Sequence, residues 1–475
     1  MRTLHLLRKY DPAQWGGTET AIQRLFAGLR EHGVEAVVYC PTINRNIEKD
    51  PIAAAGHRIE RFHAFVPIVG ISAERRRQIV SVGGNLMSLD LLPRLLREKN
   101  VSVVHTHALG RIGGIGRLVA RIRNAPLVVT IHGGVLDLPA QMKQELNQPV
   151  GGFEWGKIFG LFLQSRRLLV DADAIITCNE NEARLLREKY PDKRVVVQPH
   201  GVPLEIYQID RREQALAAFP QIRGKQVLLS VGRIDPVKNQ GWVVEQAPQI
   251  FQKFPNALIV FAGAITDEAY GEQLRARVKA LGLEDRILLT GGLPLNDPRL
   301  IGLLQEASVL VLPSKSETFG LVVLEAWATG TMALSTRTSG ASALVRHGEN
   351  GWLFDLDKPE SFHQSLAQAL SNSDDARRVL RRGGDEVHTQ YNLTALAGRM
   401  KALYEELIEE KHALRNPARR RHQCADARRM SGTVVSPVSG SWSAGQSRGH
   451  SPRANRYNDA RRPARRFSDR EKRPR

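Results

Sequence analysis

Glu317 and Glu325 stand eight residues apart in "SKSETFGLVVLEAWATGT" (314–331), on either side of a Phe-Gly pair. The "VLVLPS" before them (309–314) reads as a strand, and "GLVVLEAWATG" reads as a helix starting near Gly320 and stopping at Gly330. A helix start leaves the N–H groups of Phe319, Gly320 and Leu321 unpaired and carries partial positive charge, which suits a phosphate. Two carboxylates beside it can accept from paired hydroxyls, one set on a sugar and the other on a ribose. Such a constellation describes a pocket for a nucleotide sugar. The plainer reading makes Glu317 a capping acid and Glu325 a surface residue. Against it, the apolar neighbours Val322, Val323, Leu324 and Trp327 leave Glu325 little exposed face.

Further cations and glycines fall in similar places. In "SVGRIDPVKNQG", Arg233 directly follows a strand and Lys238 comes five residues later. The pair suits a diphosphate, with Arg233 as a bidentate fork and Lys238 as a point charge; a solvated loop is the alternative. In "KYDPAQWGGTETA", Gly16 and Gly17 precede a helix opened by Thr18 and Glu19, so a backbone N–H can approach a phosphate there, unless this is a plain loop with a Thr cap. "GRIGGIG" (110–116) has the glycines but not the spacing of a dinucleotide fingerprint. His132 in "TIHGG" stands at a strand's carboxyl end, where it can donate to a substrate hydroxyl or serve as a structural residue.

These residues need a scaffold that brings strand ends together. Short, continuously apolar runs alternate with helical stretches, as expected of parallel strands buried on both faces. The first half offers "TLHLL" (3–7), "EAVVYC" (35–40), "VSVVHTH" (101–107), "PLVVTIHG" (126–133), "AIITCN" (174–179) and "VVVQPHG" (195–201). The second offers "VLLSVG" (227–232), "ALIVFAG" (257–263), "ILLTGG" (287–292), "VLVLPS" (309–314) and "MALST" (332–336). Ile22, Leu25, Phe26 and Leu29 recur at helical spacing, with Gly33 as a stop. Two such series imply an α/β chain of two doubly wound Rossmann-like domains. The expected division is 1–205, 206–388, a crossing helix at 389–412 and a disordered tail at 413–475, with the boundary between about Gly201 and Gly224.

Composition separates body from tail. The net charge is +19, but residues 413–475 hold 17 Lys or Arg against 4 Asp or Glu, a net +13. The other 412 residues carry 51 basic and 45 acidic side chains. With 16 Arg, one Lys and few large apolar residues, the tail is expected to be disordered, and a frame-shifted end would look the same. The body lacks exposed aromatics interleaved with basic residues, so no nucleic-acid partner is expected. Three scattered cysteines argue against a disulfide framework or structural zinc. No apolar run approaches the roughly 20 residues that span a bilayer. The start, "MRTLHLLRKYDP", is charged too soon for a signal peptide, so a cytoplasmic location is expected.

Taken together, the motifs resemble a family 4, or group 1, glycosyltransferase of the GT-B fold, a retaining and metal-independent class with two domains facing a cleft. The resemblance runs through "GGTETAIQRLFAGLREHGVEAVV" (16–38), "HTH" (105–107), "TIHG" (130–133), "LLSVGRIDPVKNQ" (228–240) and "PSKSETFGLVVLEAWATGT" (313–331). It implies transfer of a hexosyl unit from a UDP- or GDP-sugar to a hydroxyl on a carbohydrate or lipid-linked acceptor, in cell-surface glycan, glycolipid or polysaccharide synthesis. It implies no cofactor and no metal. Glu317, His132, Arg233 and Lys238 would be catalytic. Gly17, Arg233, Lys238, Gly292, Leu293, Phe319, Gly320, Leu321 and Glu325 would bind the donor: Gly17 the distal phosphate, Arg233 and Lys238 the diphosphate, "TGGLP" (290–294) the base and Glu325 the ribose. Glu317 and His132 would meet the sugar, and the last helix would brace the first domain.

The chain departs from the family at "HGVP", where Asn-Gly-Val-Asp is usual, which puts hinge or donor contacts at His200 and Pro203 in question. Two Asp-x-Asp triplets, Asp171/Asp173 and Asp355/Asp357, read as incidental. "WGKIFGLFLQSRRLLV" (155–170) could lie at an interface and serve a lipid-linked acceptor, with peripheral membrane association at the inner face. The reading favoured here packs it on the sheet. A sugar-nucleotide epimerase or hydrolase on the same fold is the alternative, and the spacing of the two glutamates argues against the epimerase.

Overall fold

A computed structural model describes residues 1–10, 16–42, 50–81, 86–132 and 153–415. The apolar runs of the first half become β1 (Arg2–Leu6), β2 (Glu35–Pro41), β4 (Val103–Thr106), β5 (Leu127–Ile131), β6 (Ala174–Thr177) and β7 (Val195–Val197). With β3 (Arg58–Phe62) they form one parallel sheet in the order β3-β2-β1-β4-β5-β6-β7. The second half supplies β8 (Gln226–Val231), β9 (Ala257–Ala262), β10 (Ile287–Gly291), β11 (Ala307–Leu312), β12 (Met332–Thr336) and β13 (Trp352–Phe354). Their order is β10-β9-β8-β11-β12-β13, again parallel.

Both orders reverse direction once, between β1 and β4 and between β8 and β11. Loops leaving the strands on either side of a reversal splay apart, and the crevice between them is where ligands enter sheets of this kind. Each reversal therefore locates a candidate site.

Two strands were not legible in the sequence. β3, "RIERF", has only Phe62 buried at a sheet edge, so it shows no apolar run. β13 is three residues long at the opposite edge of the second sheet.

The glycines of "GRIGGIG" serve packing. They open the helix Gly110–Arg123, and a Cβ on Gly113 would come within 2.2 Å of the Ala108 carbonyl oxygen. One on Gly116 would come within 2.6 Å of Leu6 Cδ1, so this helix lies closer to β1 than any side chain would allow.

"WGKIFGLFLQSRRLLV" divides its apolar residues in a way the sequence did not show. Leu163 and Leu168 are buried under the first sheet, but Ile158, Leu161 and Phe162 are 71%, 80% and 78% exposed. The helix Lys157–Phe162 is under two turns long, and Gln164 then takes a left-handed conformation, φ 48°, that turns the chain away before that helix can lay a face on the sheet.

The last helix, Leu393–Arg415, extends past the expected end and into the stretch assigned to the tail. It returns to the first sheet, where Met400, Tyr404 and Leu407 join a core with Phe26, Val38 and Val103. A Cβ on Gly28 would sit 2.7 Å from Ala397 Cβ, so the glycine lets two helices touch backbone to backbone. At the polar edge His32 Nε2 lies 2.7 Å from the Thr394 carbonyl oxygen, and Lys411 pairs with Asp173 at 2.8 Å. The expected disorder of the remaining tail concerns residues 416–475, which lie outside the described residues.

Candidate active site

The reversal between β8 and β11 brings "GRIDPVK" and "SKSETFG" side by side. Asp235 shapes the first loop, its Oδ1 accepting from the N–H of Val237 at 3.0 Å and of Lys238 at 2.9 Å. This tight turn folds Lys238 back over Gly232, whose missing side chain leaves room for the lysine stem: a Cβ there would lie 3.6 Å from Lys238 Cε. Lys238 Nζ then meets Glu317 Oε2 at 2.5 Å, and Ser314 Oγ approaches the same oxygen at 3.4 Å. The loops are also joined through the backbone, by Lys315 N–H donating to the Val237 carbonyl at 2.8 Å. Arg233 pairs with Asp235 at 3.1 Å and keeps half its side chain exposed. Expected site residues Glu317, Lys238 and Arg233 thus share one crevice. Asp235, which holds two of them in place, carries only a faint signal in the sequence, an Asp before a Pro, two residues ahead of the N–H it caps.

Gly320 caps the helix Leu321–Ala328 at φ 93°, a left-handed conformation that favours glycine. Phe319 and Leu321 bury their side chains in the core, so any ligand contact there belongs to the backbone. The N–H groups of Phe319, Gly320 and Leu321 donate to no described residue.

Glu325 lies differently from the expectation. It is 7% exposed, and its Oε1 accepts from Arg24 Nη2 at 2.6 Å, across from the helix Gly17–Glu31 of the first half. The same Arg24 nitrogen donates to the Tyr207 hydroxyl at 2.7 Å. The carboxylate foreseen as a ribose acceptor already has one oxygen held by an arginine from the other sheet's layer. Arg24 was legible only as a charge inside an apolar stripe, between Ile22 and Phe26.

At the outer strand, Gly291 has φ 75° and Gly292 is exposed, while Leu293 packs partly on the core. β10 lies two strands from β8, about 10 Å at the usual spacing, so these residues are set well apart from Lys238. Between them, a Cβ on Gly263 would come 1.8 Å from the Gly232 carbonyl oxygen, which makes Gly263 a second glycine that the crevice floor requires.

From the first half, Gly17 opens its helix with no described atom within 4 Å of where a Cβ would be, leaving its backbone approachable. Glu19, on the same turn, is buried; burial raises its carboxyl, and the charges of Lys9 and Arg233 oppose that rise. His132 is partly buried and stacks between His107, at 5.1 Å, and His200, at 5.7 Å. His200 meets Phe319 edge-on at 4.8 Å, so the residue that departs from the family pattern touches the loop carrying Glu317. Burial, with Arg8 nearby, lowers His132 to about 4. Asn179 Nδ2 donates to the Thr318 carbonyl at 3.3 Å, a further tie between the halves.

His5, His105 and His107 bring ring nitrogens within 4.8 Å of one another, close enough to suggest a metal site. All six nitrogens already have partners: Thr3 and His107 for His5, His5 and His132 for His107, Tyr404 and Thr130 for His105. Three of the four aspartates in the acidic triplets, all half-buried, are similarly engaged. Asp171 pairs with Arg117 and Arg167, and Asp173 accepts from the Leu127 N–H at 2.8 Å. Asp355 lies 3.4 Å from Arg337.

Comparison with known proteins adds the chemistry. Residues 16–201 match the Glycosyl transferase 4-like domain, and residues 212–386 match Glycosyl transferases group 1. The chain is 27% identical over 345 residues to an Escherichia coli UDP-Gal:alpha-D-GlcNAc-diphosphoundecaprenol alpha-1,3-galactosyltransferase, covering 70% of this chain and 82% of that protein. It is 26% identical to a D-inositol 3-phosphate glycosyltransferase of Corynebacterium glutamicum (strain R), covering 83% and 92%. Among solved structures, Anabaena Alr3699/HepE in complex with UDP aligns with a TM-score of 0.65 over 86% of this chain and all of that one; at 15% identity this speaks to fold. Two paired parallel sheets of the GT-B arrangement, and family matches that run almost end to end through both, make this chain an enzyme that transfers glycosyl units, a member of the group 1 glycosyltransferases.

Proposed function

We propose that the chain moves a hexosyl unit from a UDP- or GDP-sugar onto a hydroxyl of a carbohydrate or lipid-linked acceptor, with retention at the anomeric carbon. The observation that carries this is the meeting of Lys238 and Glu317 at 2.5 Å in the crevice between β8 and β11, beside N–H groups at Gly320 that have no partner among the described residues. A diphosphate laid there replaces Glu317 as the partner of Lys238. Arg233 and the helix start then stabilise the charge that develops as the bond to the sugar breaks. Glu317, once released, accepts from sugar hydroxyls, and the leaving phosphate takes the acceptor proton on the same face. These cations supply the positive field, so no resident metal is assigned a role.

The remaining roles follow position. Gly17 offers a backbone N–H to the distal phosphate, and His132 reaches the sugar. Gly292 and Leu293 frame the base about two strand spacings away. Glu325 uses its second oxygen for the ribose. The matched relatives are transferases, which does not favour the epimerase or hydrolase alternative. The name of the Escherichia coli relative, with UDP-Gal as donor and a diphosphoundecaprenol acceptor, supports a nucleotide-sugar donor and a lipid-linked acceptor here.

The test is a thermal-shift panel of UDP-, GDP- and ADP-sugars, followed by product analysis of whichever donor binds. Acceptor-dependent transfer with the donor's anomeric configuration is expected. Free sugar released at the same rate without acceptor would sink the transferase roles, and an inverted product would sink retention.

A second observation bears on the acceptor. Val69, Phe153, Ile158, Leu161 and Phe162 are 61–80% exposed, and the exposed Arg166 and Arg167 follow shortly after Phe162 in the sequence. Apolar side chains beside cations favour an anionic lipid surface. Co-sedimentation with vesicles containing anionic phospholipid should fall in Leu161→Ser/Phe162→Ser, and unchanged binding would remove this patch from membrane recruitment.

A further inference from the structure

Histidine rings stack in file through the first sheet, and three of them are joined end to end by hydrogen bonds. His5 lies on β1, His107 just past β4 and His132 just past β5, three neighbouring strands. His5 Nε2 is 3.0 Å from Thr3 Oγ1, and His5 Nδ1 is 3.1 Å from His107 Nε2. His107 Nδ1 is 2.9 Å from His132 Nε2. At one end Thr3 Oγ1 donates to the Glu35 carbonyl oxygen at 3.3 Å. At the other, His132 Nδ1 is buried and has no partner among the described residues.

Counting hydrogens gives the chain a direction. A carbonyl only accepts, so the one hydroxyl hydrogen of Thr3 goes to Glu35. His5 must then donate from Nε2, which in a neutral ring leaves Nδ1 as acceptor. His107 therefore donates from Nε2 and accepts at Nδ1. His132 in turn donates from Nε2, and its Nδ1 is left as a bare lone pair. Burial keeps all three rings neutral by holding them far below the usual histidine range.

We propose that Thr3, His5 and His107 are positioning residues that lock His132 as the Nε2–H tautomer, so that its Nδ1 accepts a hydrogen from a hydroxyl of the transferred sugar. The proposal rests on the reading that His132 meets the sugar, and it adds a specificity. A lone pair welcomes an O–H and repels a carboxylate or phosphate oxygen, so the sugar at this position is a free alcohol and not a uronate or a phosphate ester. An anchor buried near the start of β1 thereby decides which substituent the crevice admits.

The test begins with the full chain, labelled with ¹⁵N-histidine and without any donor, so its outcome does not depend on glycosyl transfer. The His132 signals are assigned by their loss in His132→Gln. Wild type should show His132 with a protonated Nε2 and an unprotonated Nδ1. Thr3→Val removes the anchor, and His132 should become a mixture of tautomers, while Thr3→Ser should restore the wild-type pattern. A protonated Nδ1 in wild type, or a Thr3→Val spectrum with the wild-type pattern, would overturn the lock. Monodeoxy forms of the donor that is turned over then test the contact itself: one of them should lose roughly 10-fold or more in kcat/KM, and that loss should shrink in His132→Ala. Equal turnover of every deoxy form would overturn the sugar contact while leaving the tautomer as measured.

Discussion

Arg24 and Glu325 form an ion pair buried between the two halves of the chain, 2.6 Å from nitrogen to oxygen, with side chains 4% and 9% exposed. Tyr207 completes the group from the connection between the sheets. Arg24 Nε and Nη1 are buried without partners among the described residues, so its charge depends on this one carboxylate. Removing either member leaves the other charge uncompensated where water cannot reach it. Arg24→Ala should therefore cost about 3–5 kcal/mol, while the paired change Arg24→Met/Glu325→Leu should recover most of that loss. Urea unfolding of the three proteins measures it, and a single variant within about 0.5 kcal/mol of wild type would show that the pair is solvated.

Arg233→Ala and Lys238→Ala should each lower turnover by a factor on the order of 10²–10³, by analogy with the loss of one preorganised donor to developing charge. Arg233→Ala should leave the melting temperature nearly unchanged, since half of that side chain is exposed, whereas Lys238→Ala should lower it modestly, since Glu317 loses the partner it meets at 2.5 Å. Activity should persist in EDTA. Activity abolished by EDTA and restored by Mn²⁺ or Mg²⁺, with either variant still active, would reverse the assignment.

Gly17→Ala separates folding from binding. The added methyl meets no described atom within 4 Å, and alanine suits a helix better than glycine, so stability should hold or rise by up to about 1 kcal/mol. Donor affinity should drop because the methyl occupies the approach to the helix start. An unchanged dissociation constant for the donor would move the distal phosphate elsewhere.

Gly263→Ala should do the opposite, damaging the fold of the second sheet. Its Cβ would stand 1.8 Å from the Gly232 carbonyl oxygen, so a strand end must shift. A loss of about 1–3 kcal/mol is expected, read as a lower denaturation midpoint. A midpoint equal to wild type would mean that the crevice floor gives way freely.

Stability should fall as the medium is acidified through the histidine range. Burial takes His5 and His200 to about 3 and His132 to about 4, and takes His105 and His107 well below the ordinary 6.5. Between those folded values and 6.5 the unfolded chain binds more protons than the folded one. Stability therefore rises with pH through this window and is lost as pH drops below 6.5. Each ring contributes up to about 1.4 kcal/mol per pH unit. Urea unfolding at pH 7.5, 6.5 and 5.5 should give a slope steeper than one histidine produces; a flat profile would show that the rings are hydrated.

The elements and their class could be read from one dimension because buried parallel strands are continuously apolar and the helices between them repeat every three or four residues. Ser314 to Glu325, Arg233, Lys238, Gly17 and His132 stand out in the sequence as candidates as well, since each lies beyond a strand whose end must face a crevice. Strand order was not: only the folded sheets show that β8 and β11 are neighbours, which is why Lys238 reaches Glu317 over a separation of 79 residues. Arg24, Tyr207 and Glu325 come from three distant segments, and nothing local in any of them announces a shared ion pair. The same holds for Thr3, His5, His107 and His132, whose order as a hydrogen-bonded file exists only because β1, β4 and β5 lie side by side. Local pattern determines what each segment becomes, because secondary structure answers to neighbouring residues. Which polar groups meet, and which hydrogen each one gives, is decided by tertiary packing, because a buried donor must find its acceptor wherever the fold brings one.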